Sequence, residues 1–217
     1  MQTKIPSQTL SINAGSVTLE GILTLPDNAT GLVLFVHGSG SSRFSPRNHY
    51  VADLLNQTGL ATLQFDLLTA QENQIDEMTR EYRFDIELLS QRTVATIDWL
   101  KKHPTLQTLK LGLFGASTGA AAALYAAYFR PDAVDCVVSR GGRPDLAMPV
   151  LPKVSAPTIL IVGGFDHEVL QLNQRAKEAM QAECKLITVD GATHLFEEPG
   201  KLEIAANTAK DWFVKYM

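Results

Sequence analysis

Two cysteines in 217 residues are too few for a disulfide framework. Cys136 and Cys184 both fall inside apolar, strand-like runs, and they read as isolated buried thiols rather than a disulfide or a metal site. Uninterrupted apolar runs of membrane-spanning length are also missing, so no membrane partner is expected. The opening residues Met1–Pro6 lack the apolar stretch of a secretory leader, which gives a cytoplasmic location as the expectation. Excess positive charge is lacking too. Lys and Arg number 19 against 23 Asp and Glu, a net charge of -4, and with no basic cluster a general nucleic-acid surface is excluded. No internal repeat or low-complexity linker divides the chain. What remains is 45% hydrophobic and 19% charged residues, the balance of an ordinary globular protein. Residues 1–217 are read as a single domain, long enough for one well-buried core.

The apolar pattern changes along the chain. Residues 8–12 and 16–25 alternate apolar and polar positions around Asn13-Ala14-Gly15, which predicts an antiparallel hairpin. Gly31–Val36 is continuously apolar, as suits a strand covered on both faces. Further strands are expected at Leu60–Phe65, Leu109–Phe114, Val134–Ser139, Thr158–Val162 and Cys184–Val189. Helical spacing appears through Val51, Leu54 and Leu55, through Ile86 to Leu100, from the Ala-rich run after Ser117 to about Arg130, from Glu168 to Gln181, and at the C-terminus through Leu202, Ala205, Trp212 and Phe213. Residues 67–80 read as polar and irregular. Strands alternating with helices imply an α/β fold, a mostly parallel twisted sheet with helices on both faces. In such sheets ligands bind beyond the carboxyl ends of the strands, and His37, Asp66, Ser117, Asp166 and His194 all fall there.

One stretch carries chemistry directly. Gly115-Ala116-Ser117-Thr118-Gly119 fits G-x-S-x-G where a strand ends and a helix begins. A serine becomes a nucleophile only when it projects into a site where a base takes its proton, and small neighbours let strand and helix approach. Among five histidines, His194 follows the last strand and is the favoured base. His49 and His103 sit in or at the end of helices, His37 closes a strand before a tight Gly loop, and His167 adjoins the favoured acid. That acid is Asp166, in Gly163-Gly164-Phe165-Asp166. Asp145 and Asp66 are rivals, and a helix N-cap is the competing role for Asp166 itself. The order Ser, Asp, His is that of α/β-hydrolases. The oxyanion site would use the backbone N–H of Thr118 and of Ser39, with Gly38 and Gly40 freeing the loop.

Taken together, His37-Gly38-Ser39-Gly40-Ser41-Ser42-Arg43, the Gly115–Gly119 pentapeptide, Gly164-Phe165-Asp166 and Gly191-Ala192-Thr193-His194 make the chain resemble the α/β-hydrolase superfamily over nearly its whole length. In particular it is similar to the small lid-less members grouped with the dienelactone hydrolase family. The resemblance implies an α/β-hydrolase fold without a cap domain and a Ser117–Asp166–His194 triad acting on ester-like acyl bonds. The resulting expectation is a carboxylesterase that takes a small-molecule acyl substrate and needs neither cofactor nor metal. Dienelactone hydrolases proper carry a cysteine at the elbow, so Ser117 departs from them and makes dienelactone itself a doubtful substrate. Thioester, peptide or carbon–carbon cleavage remains open to the same triad, and a non-catalytic binding protein is the rival from another class.

Between Ser139 and Pro157 there is no room for an inserted cap, so the site should be open, roofed at most by residues 67–80 and 140–150. Arg43, Arg140 and Arg143 stand in loops at this edge. Arg43 and Arg140 are candidates to hold a substrate anion. The alternative is that these arginines tie loops to Asp66, Asp145 or Glu81.

Overall fold

The computed structural model describes residues 5–217. The hairpin forms from β1 (Ser7–Ala14) and β2 (Val17–Thr24), with Gly15 in the left-handed region at the turn. Leu19, Gly21 and Leu23 of β2 are buried in alternation, as period-2 patterning requires. The continuously apolar runs become strands buried along their length: β3 (Gly31–Val36), β4 (Ala61–Phe65), β6 (Cys136–Arg140) and β7 (Thr158–Gly163). β5 (Lys110–Ala116) is buried after its first residue, and β8 (Cys184–Val189) closes the sheet as a partly exposed edge.

The eight strands lie in the order β1-β2-β4-β3-β5-β6-β7-β8. β2 pairs antiparallel with β1 and β4, and every other pairing is parallel. Helices α1 (Pro46–Gln57) and α6 (Lys201–Tyr216) cover one face, where Val51, Leu55, Ala209 and Phe213 pack on Phe35, Phe114 and Val138. Helices α3 (Ile86–Leu100), α4 (Thr118–Phe129) and α5 (His167–Ala179) cover the other. Trp212 is 4% exposed and serves the core. Between β6 and β7 the chain makes only two short 3-10 turns, and no cap is inserted.

Residues 67–80 are not irregular. They contain α2 (Ala70–Thr79), opened by a capping box in which Thr69 accepts the Glu72 N–H and Glu72 accepts the Thr69 N–H. Its apolar periodicity is absent because only Asp76 is buried. Burial alone would raise the Asp76 pKa. The N–H groups of Tyr82 and Arg83 and the Arg83 guanidinium outweigh that and hold it below the ordinary aspartate value. Glu72 also meets Arg92 of α3 at 2.7 Å, so α2 is tied down at both ends.

Both cysteines are free thiols. Cys136 is buried and its pKa is pushed up to about 12 by desolvation. Cys184 is only half-buried, less than its apolar run suggested, and burial raises it to about 11.

Candidate active site

Ser117 sits between the end of β5 and the start of α4 at φ 49°, ψ -124°. A non-glycine residue reaches that region only at a cost of about 1–3 kcal/mol, and it persists where its surroundings fix it. Here the Ser117 N–H donates to Arg140 O at 3.3 Å, and Ser117 O accepts from Ala120 N at 3.1 Å and Arg143 N at 3.0 Å. The flanking glycines follow from contact. A Cβ on Gly115 would strike the Ala120 backbone, and one on Gly119 would strike the carbonyl oxygens of Val36 and His37. The crossing of strand and helix leaves space for hydrogen only.

Asp166 precedes α5, yet its side chain caps no helix N–H. It instead accepts from His194 Nδ1 at 2.6 Å. The competing role as N-cap is thereby excluded, and the bond fixes the imidazole with Nδ1–H toward the carboxylate and Nε2 free. His194 is half-buried and reachable from solvent, whereas Asp166 is 15% exposed at its side chain. Gly141 lies between serine and histidine. Its missing Cβ would meet His194 Cε1 and Nδ1 at 3.6 Å, and the carbonyl just before it is the one that accepts the Ser117 N–H. The structure therefore brings Ser117, Asp166 and His194 to one edge of the sheet. The loop carrying His194 is braced by Glu198, which accepts the Thr193 N–H at 3.1 Å. Hydrogen bonds from the Thr193 side chain, then its N–H, hold the Glu198 pKa low.

The other histidines have different tasks. His37 is buried, and its Nε2 accepts the Leu67 N–H at 3.1 Å. Nδ1 must then carry the proton, which it donates to Gly38 O at 2.9 Å. Burial lowers its pKa, consistent with a neutral ring that stitches the ends of β3 and β4. His49 pairs with Gln64, His103 packs at a tilt against Trp99, and His167 is exposed.

The Ser39 N–H donates to Thr118 Oγ1 at 3.0 Å. One of the two expected oxyanion donors is thus already engaged by the side chain of the residue that supplies the other. A cleft of about 700 Å3 opens beside Gly38 and Ser39, with Arg43, Asp66 and Leu67 on one wall and Asn73, Gln74 and Glu77 of α2 on the other. The rival acids are engaged elsewhere: Asp66 binds Arg43, and Asp145 binds Arg143 through two bonds of 2.8 Å.

As an anion-binding candidate, Arg43 is corrected by this geometry. Its guanidinium is paired with both Asp66 and Glu20, and its own N–H donates to Asp66 at 2.7 Å. With its charge neutralised twice, it holds the loop after β3 against β4. Arg140 has no carboxylate partner among the described residues. Sequence reasoning missed the Thr118 side chain, Glu198, and Asn173, whose amide donates to Gly142 O at 2.9 Å. Nothing in their local patterns distinguishes them from surface or helix-filling residues. No group of three or more His, Cys, Asp or Glu among the described residues could hold a metal ion, and no described helix is long and apolar enough to cross a membrane.

A parallel sheet sandwiched by helices, with a strained serine after its central strand and an Asp–His pair at the same edge, defines an α/β-hydrolase. The chain belongs to the dienelactone hydrolase family, whose model matches residues 19–216. It is 55% identical to a dienelactone hydrolase from Anabaena variabilis of known crystal structure, with a TM-score of 0.97 over 98% of each chain. An esterase from Pyrococcus furiosus shares the fold at 16% identity, TM-score 0.80, over 98% of this chain and 92% of that one. A Mycobacterium tuberculosis protein provisionally named a phosphoribosyl transferase is 53% identical over 208 residues, 96% of this chain. The chain spans only 46% of that relative's length.

Proposed function

We propose that this chain is a cofactor-independent serine hydrolase that cleaves small carboxylic esters through an acyl-enzyme. The observation that carries the reading is the 2.6 Å Asp166–His194 bond on the edge where Ser117 is held at positive φ. In this reading His194 Nε2 takes the proton of Ser117 Oγ as the oxygen attacks the ester carbonyl. The tetrahedral intermediate then collapses, the C–O bond to the alcohol breaks, and the alcohol leaves with that proton. Water repeats the sequence on the acyl-enzyme and releases the acid. Asp166 keeps Nδ1 protonated and stabilises the imidazolium without being protonated itself. The developing oxyanion takes the Thr118 N–H and shares the Ser39 N–H with Thr118 Oγ1. Serine in place of the cysteine of dienelactone hydrolases proper suits this route, because the hydroxyl depends on a paired base for activation.

The transferase name of the tuberculosis relative is not carried over, since it describes a protein more than twice as long as the matched region. A fluorophosphonate probe tests the reading. Wild type should be labelled, and Ser117→Ala and His194→Ala should lose the label. A folded wild type that takes no label and turns over no ester in an acyl-ester panel would overturn it.

A further inference from the structure

Arg140 ends β6 in register with Ala116, the residue before the nucleophile, and its carbonyl receives the Ser117 N–H. Its side chain turns to the α1 face of the sheet. There the guanidinium lies between the rings of Phe114 and Phe196, 5.9 Å from each centroid, and the residue is 7% exposed. Nε and Nη1 are buried without any hydrogen-bond partner. Aromatic faces offset part of the cost of burying such a cation, but they satisfy no N–H. Proteins ordinarily answer a buried guanidinium with an acid, because an unpaired buried charge is strongly destabilising.

The charge that acts on Arg140 is a second cation. Burial, and then repulsion from Arg47, bring its pKa down to about 10, so it still carries its charge at neutral pH. Arg47 stands in the first turn of α1, and its Nε is likewise buried without a partner. Among the described residues its Nη1 reaches only the exposed Glu197, at 3.5 Å. Ser45 caps this helix and takes the Asn48 N–H, so the positive end of the helix faces the same edge. Two guanidinium groups with bare buried donors, beside a helix N-terminus and with Arg140 itself anchoring the elbow's main chain, are complementary to a dianion rather than to a neutral group. A phosphate monoester carries nearly two charges at neutral pH and accepts in several directions, whereas a single carboxylate would neutralise only one of the two cations.

We propose that Arg140 and Arg47 form a phosphate site, and that the hydrolase takes an acyl substrate bearing a phosphate group. This substrate assignment rests on Ser117 being the nucleophile; the phosphate site does not. The test has two arms, both on the full chain. In the first, thermal unfolding is followed at constant ionic strength with inorganic phosphate or acetate. Phosphate should raise the wild-type midpoint by several degrees and acetate should not, while Arg140→Met should lose the response and Arg47→Ala should weaken it. If Arg140→Met fails to fold, Arg140→Lys, which keeps the charge but loses the fork, should respond less than wild type. In the second arm, kcat/KM is compared for two aryl esters that differ only in a phosphate on the acyl chain. Wild type should prefer the phosphorylated ester, and the preference should fall on the order of ten- to a hundred-fold in Arg140→Met. Turnover of neutral esters with no phosphate protection and no preference overturns the site and leaves the hydrolase reading standing. Equal response to acetate and phosphate also overturns it. Protection by free phosphate without a preference between the esters, or with no ester turned over at all, overturns the substrate assignment.

Discussion

Arg43 and Arg140 stand on opposite sides of β5, at the carboxyl ends of neighbouring strands, and the chain treats them in opposite ways. Around Arg43 every charge is answered: Asp66 and Glu20 bind the guanidinium, Asp66 also takes the Arg43 N–H, and His37 closes the gap between the strand ends. Around Arg140 the groups are aromatic or cationic, and its donors are bare. The first corner is a wall whose charges pair with one another, with the Arg43 Nε left as its one bare guanidinium donor. In the second, Nε and Nη1 of Arg140 are buried with no partner among the described residues. The difference shows that a residue type at a strand end does not reveal its work; the partners within reach do.

The sharpest way to break the comparison is to remove what stands between the two corners. Ser117→Ala should lower kcat/KM for any ester substrate by about 10⁴-fold or more, with circular dichroism unchanged, because the remaining binding groups supply only residual catalysis. Next comes Gly119→Ala, whose methyl group would drive into the Val36 and His37 carbonyls. Little or no soluble protein is expected from expression trials, since overpacking against backbone cannot be relieved by a rotamer change. The corners themselves differ in sign. Arg43→Ala leaves two carboxylates facing each other and should cost about 2 kcal/mol in urea denaturation, discounted from the fully buried value because the pair is partly solvated. Arg140→Met, in buffer without phosphate, should be neutral or stabilising in the same measurement. Equal losses at both positions would erase the distinction.

The smallest expected effect is a pH dependence at the first corner. The His37 pKa is lowered in the folded protein, chiefly by burial, so the unfolded chain binds the proton more readily. The contribution is fully present above the unfolded value of about 6.5 and is lost as pH falls from there toward the lowered folded value. Midpoints measured from pH 8 to pH 5 should therefore fall more steeply for wild type than for His37→Gln.

Much of this was legible in the residues. Period-2 alternation located the hairpin, and continuous apolar runs located the buried strands to within two residues, because burial on both faces leaves polar side chains nowhere to go. The shared placement of Ser117, Asp166 and His194 was legible because each follows the carboxyl end of a strand on the same edge. Helix α2 was hidden because it buries almost nothing; its one plain signal, Thr69 followed by Glu72, is a cap rather than a period. Pairings such as Ser39 with Thr118, 79 positions apart, leave no local trace. The sequence offered both Arg43 and Arg140 as candidates. The placement of Asp66 after β4 and of Glu20 on β2, both within reach of Arg43, separates them.

The contacts at Gly115 and Gly119 also constrain how such a site changes over generations. Where backbone touches backbone, no substitution is a small one, so the elbow offers no gradual route to a new geometry. Variation that retunes what the site accepts must enter elsewhere, through the solvent-facing helix α2 and the turns between β6 and β7, where a changed side chain disturbs few neighbours. The same crossing that fixes the serine thereby assigns specificity to the rim.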